Sequence, residues 1–388
     1  MSSSSSARAA SRGGARGRRV RAMGDRARGR SHRGRRGARA RARGRVDASN
    51  DADVHRGTGA VRARRDERDY WFPVCFSSAL RFDKGASVPF DLFDVPWVLF
   101  RGKSGDVGCV KDECCHRACP LSLGKVVDGR IQCPYHGWEY ETSGECVKMP
   151  SCRFLKNVYS DSLRVIERDG MIFVWAGESD PEDFIGAGSA NAGESWDEDV
   201  YEAGEEAGMF TPRDGFVTMA EVTADVKVDS NIVLERLLDI TERARRVPVS
   251  VKNRQRTPYE KADATKLISK VLRIGYEPMP QSVVFKPSCV IASTIELRPK
   301  LGGAGGGKPM LVEQLHVCLP AKPGVTRVLF RMAFDFVPEG AQHAAGDTWN
   351  NLAMQVLQEE LEDVRSGSLK SETASAAIDT FRIFKNGA

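Results

Sequence analysis

The feature that most constrains this chain is a pair of short, mixed metal-ligand motifs. Cys114-Cys115-His116 and Cys133-Pro134-Tyr135-His136 read C-x-H, a gap of sixteen residues, then C-x-x-H. Each motif offers one thiolate and one imidazole from a single tight loop. Two Cys and two His also make a zinc ligand set, but zinc knuckles keep like ligands together, as C-x₂₋₄-C and H-x₃₋₅-H. C-x-H is too tight for that arrangement. Two loops with one ligand of each kind suit a two-iron cluster, both thiolates on a buried iron and both imidazoles on an outer one. Replacing two anionic thiolates with neutral imidazoles raises the potential above that of all-cysteine ferredoxins, so the chemistry expected here is one-electron transfer.

Charge is unevenly placed along the chain. Residues 1–46 hold 16 Arg, no Lys and one acid, Asp25; taking them from 58 basic and 52 acidic residues leaves 42 and 51, a net of −9. The leader is rich in Arg and Ser and poor in acids, which is the composition of an organelle transit peptide. An RGG-like nucleic-acid arm is the rival reading, but interleaved aromatics are missing, so no nucleic-acid partner is expected. No run of 18 apolar residues exists, so no membrane-spanning segment is expected, and only peripheral membrane contact is left open.

The length allows two modest domains. Order is expected from Asp69-Tyr70-Trp71-Phe72-Pro73, with 47–68 a linker. Residues 69–178 read as short strands and turns: Val98-Leu99-Phe100, a turn at Gly102-Lys103-Ser104-Gly105, and Met171 to Trp175. Residues 179–208 are acidic and rich in Gly and Ala, a second linker. In 209–388, Val283 to Phe285, Cys289 to Ile291, Gln314 to Leu319 and Val328 to Phe336 read as strands of one antiparallel sheet. Trp349, Leu352, Val356, Leu357, Leu361 and Val364 have helical spacing, with Asp347 as N-cap. Gly302 to Lys308 mimics a phosphate loop, but Pro309 stands where Ser or Thr is needed, and the run joins two strands as a hairpin. The class expected is α+β: an all-β N-terminal domain, then an antiparallel sheet with helices.

Tyr70 to Val74, Pro96 to Gly102, His116 to Leu121, Gly129 to Tyr140, Gly144 to Ser151, Gln314 to Pro320 and Arg331-Met332 together resemble the Rieske oxygenase family, specifically its chlorophyllide a oxygenase branch. The resemblance covers roughly residues 69–365 and implies a Rieske [2Fe–2S] domain followed by an oxygenase-type domain. Respiratory Rieske proteins bridge their cluster loops with a disulfide; Cys119 matches one half, but Tyr135 occupies the other place. That favours the low end of the Rieske range, about −150 mV. A C-x-x-C pair, usual in the pheophorbide a oxygenase branch, is absent.

The family carries a second metal, a mononuclear iron on two His and a carboxylate. Its pattern is Asp, three residues to His, five more to His. Here Asp239 matches the acid, but Glu242 and Val247 stand where the histidines belong, with Glu360 near the expected carboxylate. His316 lies on a strand and His343 in a polar loop, and neither has a second His at ligand spacing. A Glu242/Glu360 pair beside Arg243, Arg245 and Arg246 is expected to form ion pairs instead. The degenerate domain is therefore expected to hold no catalytic iron. Asp239 matches the family acid that relays an electron between neighbouring subunits.

The resemblance implies the Rieske subunit of a two-chain chlorophyllide a oxygenase of the chloroplast, oxidising the pigment's 7-methyl group to formyl. Ferredoxin would load the cluster, and a homologous partner in a hetero-oligomer would carry the mononuclear iron. The long N-terminal regulatory region of plant versions is expected to be missing. Lys148, Arg153 and Lys156 follow the cluster loop and are candidates to receive an acidic ferredoxin. A standalone Rieske carrier and a pigment-binding regulator without catalysis are the alternatives.

Overall fold

In a computed structural model the described residues are 66–81, 85–178, 212–246, 258–261, 276–299, 310–337, 347–367 and 375–386. Residues 47–65 of the first linker, the whole second linker, the Arg-rich leader, Val247, the Gly302 to Lys308 loop and His343 lie outside them. All of the described residues belong to one compact unit, Arg62–Ala388.

Among the described residues the first half holds ten short strands: β1 (Trp71–Phe76), β2 (Ser87–Leu92), β3 (Val95–Arg101), β4 (Val107–Lys111), β5 (Lys125–Val127), β6 (Arg130–Gln132), β7 (Glu139–Tyr140), β8 (Cys146–Lys148), β9 (Ser162–Arg168) and β10 (Met171–Trp175). They form a six-stranded antiparallel sheet in the order β1-β10-β9-β4-β3-β2 and a four-stranded sheet β5-β6-β7-β8. The expected turn is present, with the Gly105 N–H bonded to the Gly102 carbonyl at 3.1 Å. Asp128-Gly129 closes β5 onto β6 with both residues at positive φ, the two-residue hairpin geometry that matches strand twist. A side chain at Gly129 would strike the Lys103 backbone.

The second half is a five-stranded antiparallel sheet in the order β11-β15-β14-β13-β12: β11 (Val217–Val226), β12 (Tyr276–Lys286), β13 (Val290–Pro299), β14 (Met310–Lys322) and β15 (Val325–Phe334). β13 and β14 are antiparallel neighbours, as a hairpin between them requires. Helices α1 (Ser230–Arg246), α2 (Thr348–Ser366) and α3 (Ala376–Asn386) lie against this sheet. Asp347 sits at the N-cap position of α2 but makes no side-chain cap bond there. The helix ends on Gly367, which adopts the left-handed conformation (φ 66°) common after a final turn.

β14 and β15 are buried on both faces, which is why their sequences run apolar without clean alternation. Leu315, Val317, Leu319 and Leu329 point into a core shared with Trp71, Phe72, Ile172 and Val174 of the first sheet. Val312, Cys318, Val328 and Phe330 point the other way, into the core under the helices. At the tip of the β2–β3 hairpin, the Phe93 and Asp94 amides donate to the carbonyls of Pro320 and Ala321 at 2.8 Å each. The two sheets are thus joined by backbone bonds as well as by apolar packing.

Candidate metal centre

The two motif loops fold into the same turn. In the first, the Cys114 N–H donates to the Cys119 carbonyl (2.9 Å) and the Ala118 N–H returns to the Cys114 carbonyl (2.7 Å). In the second, Cys133 pairs likewise with Trp138 (2.8 Å) and Gly137 (3.1 Å). The fifth residue of each turn, Ala118 or Gly137, has positive φ. Asp112 anchors the first loop, accepting from the Ser122 amide at 2.7 Å and from its hydroxyl at 2.5 Å.

These turns place Cys114 and Cys133 inside a small apolar core with Leu121, Ile131, Trp138, Tyr140 and Met149. His116 and His136 stand at its rim, half-exposed, with ring centroids 4.7 Å apart. The Tyr140 hydroxyl accepts the Cys115 N–H (2.9 Å) and lies 3.2 Å from Cys114 Sγ. Its oxygen being engaged by the amide, its proton is available to that sulfur. Burial pushes the Cys114 thiol up, with the Tyr140 hydrogen bond opposing the shift. Iron must displace that proton to bind. Partial burial, with His116 and Arg117 adding to it, holds the His136 imidazole below its usual range and so favours the neutral ligand form.

The residues fit a two-iron cluster. His116 Nδ1 is buried and has no hydrogen-bond partner, an atom whose desolvation a metal bond would compensate. A two-iron cluster asks each metal for only two protein ligands. All ten cysteines are free thiols, so no disulfide links the loops.

Leu123, Tyr135, Phe154, Leu155 and Tyr159 of this half are large and exposed, and the Tyr135 ring centroid lies 3.9 Å from that of His136. Arg153 and Lys156 are exposed, but the Lys148 ammonium is paired with the buried Glu139 carboxylate at 2.6 Å. Of the three docking candidates, Lys148 is the one whose charge is already engaged.

Asp239 and Glu242 are buried on α1. Glu360 is also buried and is hydrogen-bonded to His316 of β14 at 2.8 Å, while the side chains of Arg243, Arg245 and Arg246 lie outside the described residues. His316 also packs against the Phe330 ring at 4.6 Å. Tyr140, Trp138 and Asp112 carry no ligand signature and were not legible as site residues. Glu360 was marked in the sequence as the acid near the family's expected carboxylate, without its His316 partner.

A family model for the Rieske [2Fe-2S] domain matches residues 70–159. The chain is 37% identical over 306 residues to chlorophyllide a oxygenase, chloroplastic, of Chlamydomonas reinhardtii, covering 76% of this chain and 42% of that protein. The Arabidopsis thaliana protein of the same name is 37% identical over 304 residues, covering 76% and 51%. Protein TIC 55, chloroplastic, of Pisum sativum is 31% identical over 148 residues, 35% of this chain and 26% of that one. The chain therefore spans about half the length of the chlorophyllide a oxygenases it matches. Among solved structures, dicamba monooxygenase with non-heme iron and dicamba superposes with a TM-score of 0.54 at 20% identity, over 83% of this chain and 97% of that one. That likeness extends the shared fold from the Rieske domain into the second sheet.

Proposed function

This chain belongs to the Rieske oxygenase family, and from that premise we propose that it is the electron-transfer subunit of a two-chain chlorophyllide a oxygenase. Cys114 and Cys133 hold the inner iron of the [2Fe–2S] cluster, and His116 and His136 the outer one. The cluster supplies a one-electron carrier. The chain buries the thiolates in an apolar core, sets the Tyr140 hydroxyl against one sulfur, and presents both imidazoles at a surface that a partner can reach. Ferredoxin is the electron donor, and chlorophyllide a is the substrate of the assembly. The chain is chloroplastic, as its curated relatives are. Among the described residues no helix is long and apolar enough to cross a membrane.

The observation that carries the two-chain reading is the state of the second site. Glu242 and Val247 replace the family's two iron-binding histidines, and the nearby carboxylate, Glu360, is engaged by His316. A mononuclear iron then belongs to a homologous partner, and Asp239, buried on α1, is the relay residue this chain retains from the family pattern.

The test is to purify this chain alone, count iron and acid-labile sulfide, and assay chlorophyllide a oxidation with and without the homologous chain. Two irons, a Rieske EPR signal and turnover only in the mixture support the proposal. Three irons with turnover by the chain alone would overturn it.

A further inference from the structure

The indole of Trp138 lies parallel to the His116 imidazole, with 3° between their planes and 5.0 Å between ring centroids. Trp138 is almost fully buried, so the contact is held by core packing. Its Nε1–H donates to the Ser151 hydroxyl at 3.0 Å. Ser151 belongs to a third loop that closes over the second motif loop. Met149 anchors that loop in the apolar core, its sulfur accepting the Leu155 amide at 3.3 Å, and the Pro150 ring sits beside Gly137. From Pro150 to Asn157 every residue is exposed, and the segment carries Arg153, Phe154, Leu155 and Lys156.

An exposed hydroxyl thus holds a buried indole, and the indole holds the ring of a cluster ligand. We propose that Ser151 and Trp138 are positioning residues for His116, and that through them the exposed 150–157 loop sets the orientation of an outer-iron ligand. The inference rests on the cluster assignment proposed above but not on the two-chain reading. Its physical basis is that the groups that orient a metal ligand tune the metal even where they do not touch it. A partner that seats on the loop acts on the same ring.

The purified holo-chain tests this. Ser151→Ala removes the hydroxyl from an exposed position, so the fold is retained, and Trp138→Phe keeps a stacking ring while deleting the donor. Both variants should retain two irons yet broaden and shift the Rieske EPR lines, changing the nitrogen couplings of one histidine and not the other. The reduction equilibrium should shift by about threefold to tenfold, at most ~59 mV for one electron. Because both changes break one link, the double variant should match either single. Ser151→Thr, which keeps the hydroxyl, should restore the wild-type spectrum. A Ser151→Ala chain with wild-type EPR and potential, or fully additive shifts in the double variant, would overturn the inference alone. A wild-type chain without a Rieske signal would sink the cluster assignment and this inference with it.

Discussion

His316 Nε2 of β14 lies 2.8 Å from Glu360 Oε2 of α2, and both side chains are nearly closed to solvent. The pair ties the sheet to the helix at the place where the family pattern would put an iron-binding carboxylate.

Removing one partner strands the other in an apolar setting. Glu360→Ala should cost about 3 kcal/mol in urea unfolding. Replacing both, as His316→Phe with Glu360→Leu, should recover most of that loss because no buried polar group is left unmatched. If the double variant is as unstable as the sum of the singles, the two residues do not act as a pair.

Tyr140 offers a second check, on the metal centre itself. Tyr140→Phe deletes the hydroxyl 3.2 Å from Cys114 Sγ and leaves the ring in its fully buried place. Hydrogen bonds to cluster sulfur favour the reduced, more negative form, so the potential should fall, by up to ~59 mV if the bond is worth a factor of ten. Protein-film voltammetry reads this directly, and an unchanged potential would mean that the hydroxyl serves only the Cys115 amide.

Acid sensitivity should involve Arg101 and Glu167. The guanidinium binds both carboxylate oxygens, at 2.8 and 2.7 Å, and holds Glu167 below its ordinary value of 4.5. Because the folded-state value is depressed, this stabilisation is present above the unfolded value and is lost as pH falls through the folded one. Glu167→Gln should therefore cost about 1 kcal/mol near neutral pH, allowing for solvent screening, and nothing at strongly acidic pH. Unfolding curves across the pH range should converge at the acid end; parallel curves would show that the pair is not the source.

Ferredoxin docking separates the three basic residues. Arg153→Glu with Lys156→Glu should slow cluster reduction by ferredoxin about tenfold at low salt, with the difference shrinking as ionic strength rises. The thermal midpoint should stay unchanged, since both side chains are exposed. Lys148→Glu should instead lower that midpoint, because it sets a second acid beside the buried Glu139. Equal rates for the double variant and wild type at all salt concentrations would remove this loop from the ferredoxin surface.

The sequence revealed what chemistry forces and missed what packing supplies. The four proposed cluster ligands stand out because few arrangements of Cys and His at that spacing serve any other metal, and the Rieske family model spans them. Helix α2 is legible from the recurrence of Trp349, Leu352, Val356, Leu357, Leu361 and Val364, which line its buried face. The same periodicity places Glu360 on that face but cannot name its partner, which comes from a strand 44 residues earlier. Strand ends were underestimated for a related reason. Gln314 to Leu319 is the apolar centre of β14, but the strand runs from Met310 to Lys322 because neighbours on both sides supply its hydrogen bonds. Ser151 was invisible as a contact of Trp138, since that pairing depends on the third loop folding back over the second.

The amide bonds from Phe93 and Asp94 to the end of β14 bear on how an electron can leave this chain. Some carriers deliver charge by swinging a tethered head between donor and acceptor. Here the head is stitched to the body by main-chain bonds and a common apolar interior, and rotating it would tear Leu315 and Val317 away from Phe72 and Ile172. The tunnelling distance is consequently fixed when another molecule seats at the histidines. Pulsed EPR between the reduced cluster and a spin label on α3 should return one sharp distance, the same with and without ferredoxin.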